Sequence, residues 1–363
     1  MRAFLEETAV HVGMLSWEGY DDPDVLAPFE RERNCRVRVD THLSDFAAAQ
    51  RVLRRDGAWD LVNINSPFVR DALAPRGTIR ALDPDRFGAV LDTAALPSEW
   101  RPLAQWGIDP GGAPIGVCQR FGPFNLVVDS DAVSVAMAED QGFALAADPR
   151  NAGRYGILAY DDFNVLHIAL ASGFDPFIPV GDAECRAFAA TAQRWFSAAR
   201  MVTGDHVALN RALVSGAIDF YLGGGIYTAS CARLEGHARV RAITPRHGPV
   251  GGKGAIAFVE VNAALAFAAQ PAEAEAFLAY LLRPEAAARA ALAGGAANPV
   301  LQMRDPAVFA AIGRDALEAM QWDTLDADLG RCLQYGIVPG YERLHALLLA
   351  ARVSAGRLAI RTS

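Results

Sequence analysis

The 363-residue sequence is poor in lysine, in charge and in long apolar runs. Lysine occurs once, at Lys253, among 34 basic residues, and against 42 acidic residues this leaves a formal net charge of −8. An acidic chain without a basic cluster argues against a nucleic-acid backbone or an anionic membrane surface as partner, because both need concentrated positive charge. No run of about 18 apolar residues is free of charge, so the sequence predicts no membrane-spanning helix. The opening residues Met1-Arg2-Ala3-Phe4-Leu5-Glu6-Glu7 carry carboxylates where a secretory leader would carry an apolar stretch, which fits a cytoplasmic protein or a leader already removed.

Cysteine is scarce as well. Cys35, Cys118, Cys185, Cys231 and Cys332 are widely spaced, with no C-x-x-C pair, which argues against a zinc site. Their odd number leaves at least one thiol unpaired. They read mostly as buried apolar groups, with a disulfide among the others left open. Catalytic signatures are missing: there is no G-x-S-x-G, no H-E-x-x-H and no cysteine in a family signature. The seven histidines form no i, i+4 pair, and His167 lies in an apolar helical stretch, where a core role fits it best. The expectation is therefore no enzyme, no metal and no cofactor. Triads assemble in space, so an enzyme remains an alternative.

What the chain does have is 52% hydrophobic residues, enough for a large core, and a length suited to two domains or one large one. Short apolar runs alternate with helical patterns throughout, the signature of an α/β protein. A strand is predicted over Val10 to Ser16, then a helix opened by Asp22-Pro23, short or kinked at Pro28. Val37 and Val39 alternate with arginines as a half-exposed strand, and Asp45 to Arg54 reads as a helix capped by Ser44. Runs ending at Asn65-Ser66, Asp161-Asp162 and Gly225 read as strand ends, the edge where open α/β sheets bind ligands. Two passages, residues 117–123 and 248–254, read as crossovers between lobes. Pro271 opens a further helix that Pro284 stops.

Several constellations could carry chemistry. Trp17 and Tyr20 stand three apart in a loop after a strand, placed to stack on a ligand or accept a cation, or simply to pack. Asp162 beside Asp161 at a strand end suits either a side chain pointing into a cleft or a helix N-cap. Gly251-Gly252-Lys253-Gly254 fails the phosphate-loop pattern, which needs Ser or Thr after its Gly-Lys, and reads as a turn or hinge. Gly223-Gly224-Gly225 lacks dinucleotide spacing and suits a close backbone approach.

The arrangement resembles the periplasmic solute-binding proteins of ABC importers, type II fold, in particular the spermidine/putrescine-binding type. Leu15-Ser16-Trp17-Glu18-Gly19-Tyr20 with Phe29-Glu30 is similar to that family's opening N-W-x-x-Y…F-E. Trp59-Asp60-Leu61-Val62 resembles its Y-D-L-V, and Leu281-Leu282-Arg283-Pro284-Glu285 the end of its late helix. Pro339-Gly340-Tyr341-Glu342 is a weaker echo.

The resemblance implies two discontinuous α/β lobes, residues 1–121 with 250–300 and residues 122–249 with 301–363, each a mixed sheet flanked by helices and closing on a ligand. It implies a monomer in the periplasm that takes an amine-containing solute to a membrane permease. The ligand-binding residues it implies are Trp17, Tyr20, Asp162, Tyr221, Phe258 and Glu260, with Ser66, Arg120 and Phe121 beside them. Departures qualify the solute. Val165 stands where the family offers a second acid, no tyrosine is present near Gly294-Gly295, and Arg120 brings a positive charge. An amino-acid-like or carboxylate solute is therefore an alternative to a polyamine, and a cytoplasmic sensor or an enzyme on the same fold a further one.

Overall fold

A computed structural model describes residues 10–356; the leader-like question raised by residues 1–7 lies outside the described residues. The strands are β1 (Val10–Ser16), β2 (Cys35–Thr41), β3 (Leu61–Asn65), β4 (Val117–Asp129), β5 (Tyr155–Leu158), β6 (Met201–Thr203), β7 (Phe220–Gly225), β8 (Val240–Ile243), β9 (Ala255–Ala264) and β10 (Cys332–Gln334). Helices separate most of them, giving the expected α/β chain. Two compact units result, one of residues up to Phe121 with Phe258–Gly313, the other of Gly122–Ala257 with the chain from Arg314 onward.

The unit boundaries differ from the expected 249/250 and 300/301. The Gly248–Gly254 run closes on itself, with Lys253 N donating to Val250 O at 2.9 Å, and the chain changes unit only within β9. The passage expected at 117–123 does change unit, between Phe121 and Gly122 as expected, and does so within one long strand, β4. Residues 301–313 stay with unit 1, where Gln302 Nε2 donates to Cys118 O at 2.9 Å.

In unit 1, β1 lies between parallel β2 and β3, and β3 runs antiparallel to β9. β1 is buried on both faces from Met14 onward, as suits an inner strand, whereas β2 alternates with Arg36 and Arg38 outward. The helix Pro23–Arg33 is started by Asp22, whose carboxylate accepts from Asp24 N at 2.8 Å, and it continues through Pro28 to Arg33. Its Phe29 meets Phe277 edge-on at 5.0 Å, from the helix Pro271–Leu281. Pro284 both follows that helix and opens the next, Pro284–Leu292, at a position where no amide partner is lost.

In unit 2, β7 runs parallel to β5 and antiparallel to β4, while β6 pairs parallel with β5 and β8 antiparallel with β4. The helix Asp161–Ala171 leaves the end of β5. Gly223, at φ +83°, brings the backbone so close that a Cβ there would lie 2.9 Å from Leu158 O. All five cysteines are free thiols, four of them buried, and burial pushes Cys118 up to about 12. Among the described residues no helix is long and apolar enough to cross a membrane.

Gly13 tests the packing of β1. A Cβ there would lie 2.0 Å from the Ala58 carbonyl oxygen, so Gly13→Ala should cost about 1–3 kcal/mol in denaturant unfolding. Wild-type stability in that variant would contradict this backbone approach.

Candidate functional site

The carboxyl ends of β1 and β3 open into the loop 17–22 and the segment Asn65–Pro67. Polar side chains gather there because strands β3 and β9 place asparagines and an acid in register: Asn63 opposite Asn262 and Asn65 opposite Glu260. Asn63 Nδ2 donates to Asn262 Oδ1 at 3.1 Å. Asn262 Nδ2 donates to the Tyr20 hydroxyl at 3.2 Å, and that hydroxyl donates to Gln119 Oε1 at 2.8 Å. Asn63 Oδ1 accepts from Trp17 N at 3.3 Å. The aromatic loop is thus fastened to the strands by neutral amides. Burial raises the Tyr20 phenol well above its ordinary range, so it stays protonated.

Trp17 is held by a carboxylate. Its indole Nε1 donates to Asp45 Oδ1 at 2.8 Å, and the same oxygen accepts from Asn65 N at 3.0 Å. Asn65 Nδ2 donates to Asp45 Oδ2 at 3.0 Å. Three donors on a fully buried carboxylate offset its desolvation and fix the indole plane. His42 lies 4.7 Å from that ring, centroid to centroid, and its Nε2 donates to Asn63 O at 2.9 Å. Ser66 Oγ and Asn65 Oδ1 are buried with no hydrogen-bond partner among the described residues.

Arg120 and Glu260 form the centre of this polar group. Arg120 Nε donates to Glu260 Oε2 at 2.9 Å, Nη2 lies 2.8 Å from that oxygen, and Nη2 also donates to the Glu18 carbonyl at 2.8 Å. The guanidinium carbon sits 4.4 Å from the centroid of the Tyr20 ring. Burial works against the Arg120 charge, but the Glu260 carboxylate holds it protonated. Burial pushes the Glu260 carboxyl up, and Arg120 pulls against it. Gly19 is shaped around the pair: its φ is +99°, and a Cβ there would lie 2.7 Å from Arg120 Nη1. Next to it, Gly294 N donates to Asp22 Oδ2 at 2.8 Å.

Of the residues singled out in the sequence, unit 1 therefore brings Tyr20, Arg120 and Glu260 into direct contact, with Trp17 and Ser66 on the neighbouring strand ends. Phe121 is buried against Trp100, 4.8 Å between centroids, and Phe258 is buried on β9. Asp162 and Tyr221 belong to unit 2. Asp162 accepts from the Tyr341 hydroxyl, and Asp161 pairs with Arg352 and, at 2.8 Å, with His345 Nε2. Neither aspartate is the N-cap, which is Tyr160; both lie in the first turn, where their charge opposes the helix dipole favourably. Tyr221 is mid-strand, its hydroxyl bonded to Thr228 Oγ1 at 2.8 Å and Asn210 Oδ1 at 3.1 Å. His167 is buried and pushed down to about 4 by that burial, so it is a neutral core group.

Sequence reasoning missed Asp45, Asn63, Asn65, Gln119 and Asn262. The available signal was asparagine within strands, where that residue is depleted. Among the described residues no cluster of three His, Cys, Asp or Glu side chains could hold a metal ion.

No family model matches the chain, and no curated protein matches it in sequence. Solved structures do match in fold. A putative spermidine/putrescine ABC transporter protein from Listeria monocytogenes superposes with TM-score 0.71 at 14% identity, covering 95% of this chain and 100% of that one. Iron-bound HitA from Pseudomonas aeruginosa gives TM-score 0.58 at 16% identity, covering 96% and 99%. The binding protein MotA from A. tumefaciens B6, in complex with glucopine, gives 0.58 at 15%, covering 96% and 100%. The chain has the fold of the type II periplasmic solute-binding proteins.

Two outcomes follow from the buried charges. Arg120→Met leaves Glu260 buried without its cation and should cost about 3–5 kcal/mol, much of it recovered in Arg120→Met/Glu260→Met; a double variant as unstable as the single would contradict the pairing. In unit 2 the Asp161 carboxyl is held below its ordinary value: burial would raise it, but His345 and Arg352 outweigh that. Its folded pKa is depressed, so its stabilisation is present above about pH 4 and lost as pH falls through the folded value. Asp161→Asn should therefore cost about 2–3 kcal/mol at pH 7 and progressively less below pH 4 in acid-unfolding curves.

Proposed function

We propose that this protein is the solute-capturing component of an ABC importer, working outside the cytoplasmic membrane and handing a small solute to a membrane permease without altering it. What carries this reading is the fold: a likeness over nearly the whole chain to a putative ABC transporter protein, to an iron-bound protein and to a binding protein in complex with glucopine. Their names differ in solute, among polyamine, iron and an opine, so the fold does not select the ligand. The solute contacts proposed in unit 1 are the Trp17 and Tyr20 loop and Ser66, with Arg120, Phe121, Phe258 and Glu260 behind them; in unit 2 they are Asp162 and Tyr221. Ser66 Oγ and Asn65 Oδ1 support the placement, since a buried polar atom without a partner costs about 1–3 kcal/mol until a ligand or water meets it.

A thermal-shift panel of polyamines, amino acids, opines, short carboxylates and ferric ion tests the reading. The true solute at 100 times its Kd should add about 2.7 kcal/mol of stability, and mass spectrometry should recover it unchanged. Ser66→Ala should leave the solute-free protein at least as stable as wild type, by up to about 1–3 kcal/mol, and raise the Kd roughly 3–10-fold. No shift across the panel, or a chemically altered solute, would count against the proposal, and an unchanged Kd in Ser66→Ala would remove that residue from the site.

A further inference from the structure

We infer that Arg120 is a built-in cation, filling from within the chain the position at which unit 1 would otherwise hold a solute ammonium, so that the solute group recognised there is neutral or anionic. The inference rests on the reading of this protein as a solute binder and narrows the solute class. A cationic ligand needs a carboxylate, an aromatic face and a carbonyl acceptor within reach. Unit 1 provides all three around one point: Glu260, the Tyr20 ring and Glu18 O. Arg120 takes them together, with its Nε on Glu260 at 2.9 Å, its Nη2 on Glu18 O at 2.8 Å and its carbon 4.4 Å from the Tyr20 centroid.

The arrangement is built rather than incidental. Arg120 and Glu260 are 5% and 8% exposed, so the ion pair is desolvated and the guanidinium is not a surface group folded down by chance. The loop is adapted to it, since Gly19 at φ +99° leaves room for Nη1 where any side chain would collide. The Arg120 charge cancels the Glu260 charge at contact distance. An incoming ammonium would have to displace a guanidinium held on three sides, or sit beside it as a like charge. Arginine suits this role better than lysine because its planar, weakly hydrated fork can bond and stack at once.

The test is chemical rescue. Arg120→Ala removes the cation and leaves a guanidinium-sized space, so its melting temperature should fall by roughly 10 °C. Millimolar methylguanidinium should restore part of the loss saturably, and should do nothing for Arg120→Ala/Glu260→Gln. If Arg120→Ala does not fold alone, refolding with and without methylguanidinium gives the same answer. In parallel, putrescine and spermidine are titrated calorimetrically into wild type, where no binding is expected. Absence of rescue, rescue that persists without the Glu260 carboxylate, or polyamine binding to wild type would each overturn the inference. The rescue result does not depend on the native solute. Failed rescue with a solute found in the panel sinks only the role of Arg120, whereas rescue with no solute found sinks only the transport reading.

Discussion

A buried guanidinium against a buried carboxylate is the constraint around which unit 1 is arranged. Either charge alone would cost several kcal/mol to desolvate, so the sequence must supply both, and residues 140 positions apart have to meet. Once they meet, other features become necessary. Gly19 must lack a side chain, the Glu18 carbonyl must turn inward, and the Tyr20 ring must lie under the guanidinium with its hydroxyl bonded elsewhere. Neutral amides do that last work. Gln119 and Asn262 satisfy the Tyr20 hydroxyl without adding a charge that would compete with the pair.

A second carboxylate organises the neighbouring strand end on the same logic. Asp45 accepts from three N–H donors of Trp17 and Asn65, which offsets its burial and locks those two residues to each other. Both acids are therefore spent on internal structure. The rigidity they give the loop is what a binding surface needs, because positions fixed before binding do not have to be ordered by the ligand.

The sequence was most legible where the signal is local. Strand β1 spans the residues its apolar run predicts, and Asp22 and Ser44 cap their helices because capping depends on a side chain and an amide two or three residues away. Trp17, Tyr20 and Glu260, singled out through family resemblance, fall in one unit. What could not be read was who bonds to whom. Arg120 read as an extra charge in a crossover, and nothing near it in sequence names Glu260 as its partner. The same holds for Asp162, whose Tyr341 partner lies 179 residues on. The boundary at 121/122 falls where it was expected, but the one placed at 249/250 was misread for a related reason: a glycine run looks like a hinge, whereas Gly248–Gly254 is a closed turn, and the continuous strand β9 gives no local sign of where it changes unit.

The disposition of acids also changes what the net charge of −8 means. A negative chain invites the idea of a cation-seeking protein, yet each acid named for the site already has a partner within its own unit. Glu260 has Arg120, Asp45 has Trp17 and Asn65, and Asp162 has the Tyr341 hydroxyl, with Asp161 beside it on Arg352 and His345. A carboxylate already paired with a guanidinium at contact distance, as Glu260 is with Arg120 and Asp161 with Arg352, offers a cationic ligand less than its full charge. What Ser66 Oγ and Asn65 Oδ1 offer is different in kind: polar atoms with nothing to give up. Recognition built on such atoms and on aromatic faces, as proposed for unit 1, would select by shape and hydrogen-bond pattern rather than by opposite charge.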